Sequence, residues 1–135
     1  MTDPVEAGLR AALARPAGPS SDFDLNPDLR SPADKALRPA GVLVPIWLRP
    51  DGAALILTKR SSHLKHHPGQ IAFPGGKVDA TDASPEAAAL REAREEIGLD
   101  PLRVQILGTL PVHETVTGFA MTPFVGLLRG DFTPV

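Results

Sequence analysis

The pattern of apolar and polar residues divides the sequence into a polar N-terminal part and a strand-rich remainder that begins near Gly41. Runs of β-branched and apolar residues predict strands over 42–48, 54–58, 71–73, 103–112 and 121–128. Pro50-Asp51-Gly52 predicts a hairpin turn between the first two strands, and Pro45 indicates an edge or bulge position. Strands, then a helix, then further strands predict a mixed α/β layer fold (α+β).

A helix over residues 85–97 is predicted by both its ends and its periodicity. Ser84 is a favourable N-cap, Pro85 suits the first turn, and Gly98 suits the end of the helix. Leu90, Ala93 and Ile97 fall together as a stripe that faces the core.

The opposite side of this helix carries three carboxylates, which we call the acidic face: Glu92, Glu95 and Glu96. They fall within a sector of about 100°. Like charges this close repel one another unless a cation lies among them, and hard cations such as Mg²⁺ take oxygen ligands of this kind. A solvated charged face is the alternative. The preceding turn, residues 73–76, favours a metal site because its glycines let backbone approach a ligand.

Gly76, Asp82 and the run Arg91–Leu99 resemble the Nudix box, the signature of the Nudix hydrolases. The usual box has Glu where this chain has Asp82, and Arg91 comes one residue late. The resemblance implies divalent-metal-dependent hydrolysis of a nucleoside diphosphate linked to another group. It also implies a Nudix fold, a mixed sheet sandwiched by helices, whose final strand and helix are absent from this sequence. We expect a C-terminally incomplete domain; a covering N-terminal helix or partner chain is the alternative.

Residues 56–76 resemble the additional motif of the coenzyme A pyrophosphatase branch of that family. The segment has the Thr-x-Arg-Ser start at Thr58, then Gly69 and the Phe-Pro-Gly-Gly end, with Lys65 at the position of an Arg. Residues 114–119 before Thr122 resemble a loop of the same branch. The implied reaction converts coenzyme A or acyl-coenzyme A to 3′,5′-ADP and (acyl-)4′-phosphopantetheine. Other nucleoside diphosphate substrates (ADP-ribose, dinucleotides, oxidised nucleotides) and a non-catalytic nucleotide-binding module are the alternatives.

We assign Glu92 and Glu96 as the principal ligands of Mg²⁺ or Mn²⁺, and Glu95 as a further ligand or the base. A backbone carbonyl at Gly76 or its neighbour completes the metal site. Glu114 is the other candidate for the base, because the resemblance implies that a Glu on a later loop serves this role in some family members.

The remaining candidate residues position the site or contact the substrate. Arg91 is expected to orient a carboxylate, such as that of Asp82, in preference to contacting substrate. Arg60 and Lys65 are candidates for the substrate phosphates, or else belong to a solvated loop, and the turn at Gly75 and Gly76 is the other substrate-binding element. No thiolate accompanies His63, His66 and His67, so we do not predict zinc.

Composition is typical of a soluble globular protein, at 135 residues with 42% hydrophobic content. The absence of Cys removes disulfides and thiolate metal sites, and a cytoplasmic protein is the default. Residues 30–70 hold seven Arg or Lys against two Asp, whereas residues 79–100 hold seven Asp or Glu against two Arg. A basic segment beside an acidic helix suits a metal–pyrophosphate substrate, and nothing in the charge balance favours nucleic acid. Nor does any apolar run have the length of a membrane span.

The N-terminal forty residues are predicted to be an extension to a domain over 41–135. Asp3-Pro4-Val5-Glu6 predicts a helix that begins at residue 4 and ends near Arg15. Residues 16–39 are rich in Pro, Gly and polar residues without a period, which predicts extended chain or loop. We expect a packing arm without chemistry. An apolar sheet face left uncovered would favour a homodimer.

Overall fold

The computed structural model describes residues 3–22, 24, 36–59 and 71–134. Its two helices are α1 (Pro4–Leu13) and α2 (Pro85–Ile97). Its strands are β1 (Ser20–Ser21), β2 (Arg38–Arg49), β3 (Gly52–Leu55), β4 (Thr58–Lys59), β5 (Ile71–Ala72), β6 (Gly75–Lys77), β7 (Val104–Thr109), β8 (His113–Glu114) and β9 (Phe119–Arg129). A 3₁₀ turn, Pro101–Arg103, precedes β7.

Two long parallel strands, β2 and β9, form the centre of a mixed sheet. They pair without interruption from Arg38 opposite Phe119 to Leu48 opposite Arg129. The other edge of β2 pairs antiparallel with β6 along its first part and with β3 along its last part. The other edge of β9 pairs with β8 and then β7, and β1 extends the sheet beside β8. This arrangement gives seven strands in one sheet within the described residues, and β4 and β5 form a separate pair.

The two helices lie on opposite faces of the sheet. Ala89, Ala93 and Ile97 of α2 pack in a buried cluster with Leu43 and Phe124 of the central strands. On the other face, Leu9 and Leu13 of α1 pack against a second cluster, whose buried members are Ile46, Val125 and Leu127. The α1 helix therefore covers part of the sheet face opposite α2, as in the alternative of a covering N-terminal helix. The predicted α+β class with a sheet between helices is confirmed.

A glycine in the central strand allows α2 to pack directly on the sheet. A Cβ atom at Gly41 would lie 1.9 Å from the carbonyl oxygen of Pro85, in the first turn of α2. Any side chain there would push the start of the helix away from β2. Gly41 thus sets the separation between β2 and the helix that carries the acidic face.

The predicted ends of α2 are confirmed by its capping interactions. Ser84 Oγ accepts a hydrogen bond of 3.1 Å from the backbone N–H of Ala87. Gly98 ends the helix in the left-handed conformation, with φ of 72°. The α1 helix begins as predicted, with the Asp3 carboxylate accepting from Val5 N at 2.7 Å, but it ends at Leu13, two residues early.

The prediction of an edge or bulge position for Pro45 is wrong, because β2 is central and Pro45 is buried. The strand tolerates it because its partner on one side changes at this point. Leu43 N donates to Pro74 O, and Pro45 O accepts from Ile56 N. Along this edge of β2, Pro45 therefore falls in the gap between the part that pairs with β6 and the part that pairs with β3. Proline has no N–H to donate, and in Pro45 this donor would point into the gap, so no hydrogen bond between β2 and β9 is lost.

Other strand boundaries differ from the predictions. The strand predicted over 54–58 is interrupted at Ile56 and Leu57, and the strand predicted over 103–112 ends at Thr109. Within the predicted loop over 16–39, residues 20–21 form a short strand and β2 already begins at Arg38. The basic loop over 60–70 lies outside the described residues. Neither described helix has the length and apolar character that crossing a membrane would require.

Candidate functional site

The centre of the candidate site is a two-pronged ion pair between the helix and the loop before it. Arg91 Nε lies 2.9 Å from Asp82 Oδ1, and Arg91 Nη2 lies 3.0 Å from Asp82 Oδ2. The Asp82 side chain is only 5% exposed. Charge-assisted bonds in this fork geometry are both strong and directional, so they fix the loop against α2.

The same guanidinium also contacts the acidic face. Arg91 Nη1 lies 3.2 Å from Glu92 Oε1 and 3.2 Å from Glu95 Oε2. Its Nη2 lies 3.3 Å from Asp79 Oδ2 and donates to the backbone carbonyl of Lys77 at 3.4 Å. Arg91 therefore joins strand β6, the loop that follows it and two carboxylates of α2 in one network.

These contacts shift two pKa values in opposite directions. Hydrogen bonding from Arg91 holds the pKa of the Asp82 carboxyl below its usual value, with a further contribution from the backbone N–H of Asp79. The carboxylate of Asp82 in turn raises the pKa of Arg91. Both groups are therefore charged at neutral pH.

Glu92 lies against the glycine turn that precedes the loop. A Cβ atom at Gly76 would stand 2.8 Å from Glu92 Oε1 and 3.0 Å from its carboxyl carbon. Only glycine at this position leaves the carboxylate of Glu92 where it is, beside the backbone of β6. This contact brings together two of the sequence-predicted site residues, one from the turn and one from the helix.

The remaining members of the acidic face point to the surface of α2. The side chain of Glu95 is 58% exposed, and Glu96 is also exposed. Within the described residues, no three acidic or histidine side chains converge on one point as a ready-made metal cage. The donor set nevertheless fits Mg²⁺ or Mn²⁺, since it offers the carboxylate oxygens of the acidic face, with Glu92 beside the backbone of Gly76.

A cleft of about 220 Å³ opens beside the glycine turn. Its walls come from the turn, from β2 and β9, and from the loop between β8 and β9; they include Ala40, Val42, Ala72, Phe73, Gly75, Gly76, Lys77, Thr115, Thr117, Phe119 and Met121. The fold therefore places the Gly75–Gly76 turn and the loop after Glu114 on the same cleft, although they are about forty residues apart in sequence.

Glu114 lies in β8, at the start of this loop. Its Oε1 atom accepts a hydrogen bond of 2.6 Å from Ser21 Oγ. The neighbouring Thr115 hydroxyl lies 3.0 Å from that of Thr117 and accepts from Phe119 N at 3.0 Å. The loop that carries the candidate base is thus held by its own hydrogen bonds and by contacts with residues before β2.

The residue pattern and the geometry agree with a comparison against family models. The model for the NUDIX domain matches residues 37–132, which is more than half of the chain. The chain belongs to the Nudix family. The matched range includes β2 to β9 and α2, and therefore the whole network around Arg91.

Two bacterial proteins illustrate how similar the domain is to other Nudix sequences. The protein named Uncharacterized Nudix hydrolase NudL from Enterobacter sp. (strain 638) is 55% identical over 94 residues, which are 70% of this chain and 48% of that protein. The protein of the same name from Escherichia coli (strain K12 / DH10B) is 54% identical over 94 residues, with the same shares covered. The match therefore spans about half the length of these curated relatives.

Solved structures share the same Nudix fold. A Nudix hydrolase from M. smegmatis, RenU, matches with a TM-score of 0.60 at 26% identity, covering 74% of this chain and 64% of that one. A C. elegans Ap4A hydrolase in a binary complex matches with a TM-score of 0.57 at 21% identity, covering 71% and 70%. The NUDIX domain of Shewanella oneidensis NrtR, solved with ADP ribose, matches at 0.54 and 22%, covering 83% and 71%. The last two similarities are evidence of fold alone.

Some predicted site residues lie outside the described residues, and some contacts of the site were not predicted. Arg60 and Lys65 belong to the first group, and His63, His66 and His67, for which zinc was not predicted, lie outside the described residues as well. The second includes Asp79, which joins the Arg91 network, and Arg38, whose guanidinium lies 4.4 Å from the ring centre of Phe119 beside the cleft. Asp79 has a signal in the acidic loop sequence, whereas the Arg38 contact depends on the β2–β9 register.

Proposed function

We propose that this Nudix domain is part of a metal-dependent hydrolase that cleaves coenzyme A or acyl-coenzyme A to 3′,5′-ADP and (acyl-)4′-phosphopantetheine. The observation that carries the general activity is the network in which Arg91 joins Asp82, Glu92 and Glu95 beside the Gly76 backbone. A helix held this firmly against a glycine turn presents carboxylates at a fixed position, as positioning of a pyrophosphate requires.

In this proposal, Glu92 and Glu96 hold the divalent ion, Glu95 is a further ligand or the base, and the backbone carbonyl at Gly76 is a neutral ligand. Nudix hydrolases generally use Mg²⁺ or Mn²⁺. When bound, such an ion supplies positive charge to the phosphate oxygens and stabilises the negative charge that develops there. Arg91 does not touch substrate; it holds the helix and the loop in register, with Asp82 as its anchor.

The reaction also requires a carboxylate that accepts a proton from the attacking water. The oxygen of water forms a bond to one phosphorus as the bond from that phosphorus to the bridging oxygen breaks, and the bridging oxygen leaves with the electron pair. Glu114 accepts the proton of the attacking water in this proposal, with Glu95 as the other candidate. Glu114 is supported by its position in β8, at the start of the loop whose Thr115 and Thr117 line the cleft beside Gly76.

The choice of coenzyme A rests on the sequence motif over residues 56–76. Its Phe73-Pro74-Gly75-Gly76 end lies in the described part of the chain and lines the cleft with three of its residues, Phe73, Gly75 and Gly76. We assign Arg60 and Lys65 of the same motif to the substrate phosphates. Lys65 contributes a point charge where the family pattern has an Arg fork.

A substrate panel tests this assignment. We would incubate the protein with Mg²⁺ and, separately, coenzyme A, acetyl-coenzyme A, ADP-ribose and a diadenosine polyphosphate, and compare kcat/KM from product chromatography. The expected result is the highest kcat/KM for a coenzyme A substrate, with 3′,5′-ADP as a product. A higher kcat/KM for ADP-ribose or the dinucleotide would contradict the assignment of coenzyme A as substrate, while the proposal of a hydrolase would stand. Tight binding without turnover of any of them would contradict the enzymatic proposal.

A further inference from the structure

Three consecutive residues of the N-terminal extension, Ser20, Ser21 and Asp22, each bind the segment that carries Glu114. We call these residues the arm. Strand β1 of the arm runs parallel to β8, with Ser20 opposite His113 and Ser21 opposite Glu114. The backbone joins them through Ser20 N to Val112 O at 3.0 Å and Asp22 N to Glu114 O at 2.8 Å. This extension had been expected to pack without a chemical role.

The side chains of the arm add a second set of bonds. Ser20 Oγ lies 2.7 Å from His113 Nδ1, and Asp22 Oδ1 lies 2.6 Å from His113 Nε2. Asp22 Oδ2 accepts from the backbone N–H of Val116 at 2.8 Å. Asp22 therefore bridges β8 and the loop after it. The bonds from His113 and from Val116 N–H hold the pKa of the Asp22 carboxyl below its usual value.

Between Ser20 and Asp22 in the arm, the hydroxyl of Ser21 donates to Glu114 Oε1 at 2.6 Å. A bond of this length to a carboxylate is strong and directional. It therefore restricts the orientation of the Glu114 carboxylate.

We propose that Ser21 is a positioning residue for Glu114, and that Asp22 fixes the loop that lines the cleft. This inference rests on the proposed function, in which Glu114 accepts the proton from water. It assigns the N-terminal arm to the catalytic machinery of the Nudix domain, although the arm precedes the matched family region that begins at residue 37. Ser21 does not touch substrate; it acts by keeping the Glu114 carboxylate in one orientation.

Kinetics distinguish positioning from mere packing. Ser21→Ala is expected to lower kcat about tenfold, as loss of an outer partner does, and to leave KM within about twofold. Ser21→Thr keeps a hydroxyl and should restore most of kcat. In a Glu114→Gln background, Ser21→Ala should cause no further loss, since the residue through which it acts is already changed. An equal loss in both backgrounds, or no loss in either, would overturn the inference.

Asp22→Asn tests the bonds from Asp22 to His113 and to Val116 N, because an amide offers one acceptor oxygen where the carboxylate offers two. We expect lower kcat and higher KM together, since Thr115 and Thr117 of the loop line the cleft. Asp24→Asn is the matched control. The Asp24 carboxylate accepts from Ser21 N through Oδ2, a bond that the amide oxygen of Asn can still accept, so activity should be unchanged.

A readout without turnover separates failure of this inference from failure of the proposed function. Hydrogen exchange of the amides over residues 112–118 should be faster in Asp22→Asn than in the parent protein, and unchanged in Asp24→Asn. Unchanged exchange in Asp22→Asn would show that the arm does not fix the loop, and would overturn the inference even in an active enzyme. If the parent protein cleaves no substrate, faster exchange still supports the anchoring and only the proposed function fails.

Discussion

At the scale of single residues, the site depends on one guanidinium that serves several partners at once. Arg91 makes a fork with Asp82 and also contacts Glu92 and Glu95. A planar, multiply donating group can meet these acceptors together, whereas an ammonium on a flexible chain cannot. The geometry of the acidic face therefore depends on the residue type at position 91 as well as on its charge.

Arg91→Lys should keep the positive charge but lose the fork. We expect activity to fall between about tenfold and a hundredfold, because groups that orient metal-site ligands contribute that much. The measurement is kcat/KM on the preferred substrate of the panel. Arg94→Lys, three residues along on an exposed part of α2, is the control and should retain activity. Equal losses in the two variants would mean that the fork is not what matters.

The ion pair between Arg91 and Asp82 also makes stability depend on pH. Since the pKa of Asp82 is lower in the folded state than in the unfolded chain, its contribution is fully present above pH about 4. It is lost as pH falls through the folded-state pKa. The gap in unfolding free energy between the parent protein and Asp82→Asn should therefore be constant from pH 8 to 5 and shrink below pH about 4.

Urea unfolding at pH 7, 4 and 3 measures this gap. Asp131→Asn, in the exposed segment after β9, is the control and should differ from the parent by less than about 0.5 kcal/mol at each pH. A gap for Asp82→Asn that stays the same at pH 3 would show that the pair does not contribute through the charge of this carboxylate.

Gly76→Ala tests the contact between the turn and the acidic face. The added Cβ would stand 2.8 Å from Glu92 Oε1, at the end of a side chain that can move, so we expect the protein to fold. Because the carboxylate of Glu92 must shift, activity should drop about tenfold or more. For Gly18→Ala, no described atom lies within 4 Å of the new Cβ, and activity should be normal. Normal activity in Gly76→Ala would show that activity does not depend on the position of the Glu92 carboxylate.

At the scale of elements, α1 and α2 cover the two faces of one sheet, and Gly8 tests whether α1 stabilises the domain. Gly8 lies inside α1, and no described atom comes within 4 Å of where its Cβ would be. Gly8→Ala should therefore raise the free energy of unfolding by about 0.5–1 kcal/mol, through the lower backbone entropy of the unfolded chain. Denaturant unfolding measures it. An unchanged midpoint would mean that α1 is not part of the cooperative unit.

Element predictions succeeded where the deciding information is local in the sequence. Ser84, Pro85 and Gly98 mark the ends of α2 because capping involves residues only a few positions apart. Pro45 was misread because its environment depends on which strands lie beside β2, and those strands come later in the sequence. The pairing of β1 with β8 joins residues more than ninety positions apart and has no local signal.

The candidate site divides in the same way. The acidic face follows from helical periodicity, and the sequence predicts that Arg91 orients a carboxylate such as that of Asp82, whereas the two-bond fork is seen only in the structure. In contrast, the arm of residues 20–22 had been interpreted as packing chain, because nothing in its composition indicates contact with Glu114. The cleft between the glycine turn and the β8–β9 loop likewise depends on tertiary pairing.

At the scale of the whole molecule, the parallel pair β2 and β9 aligns the parts of the site. Because β6 lies on one side of this pair and β8 on the other, the glycine turn and the Glu114 loop face one cleft. The acidic helix packs above β2 through Gly41. One sheet and the helix packed on it therefore bring together candidate site residues that are far apart in the sequence.

The most direct test of this account is release of 3′,5′-ADP from coenzyme A with Mg²⁺, comparing the parent protein with Glu96→Gln. The account predicts product from the parent protein and a loss of at least about a hundredfold in the variant, the upper end of what even outer partners of a metal site contribute. The variant keeps the size of this exposed side chain and changes one oxygen to an amide nitrogen. Release by Glu96→Gln at the rate of the parent protein would contradict the account.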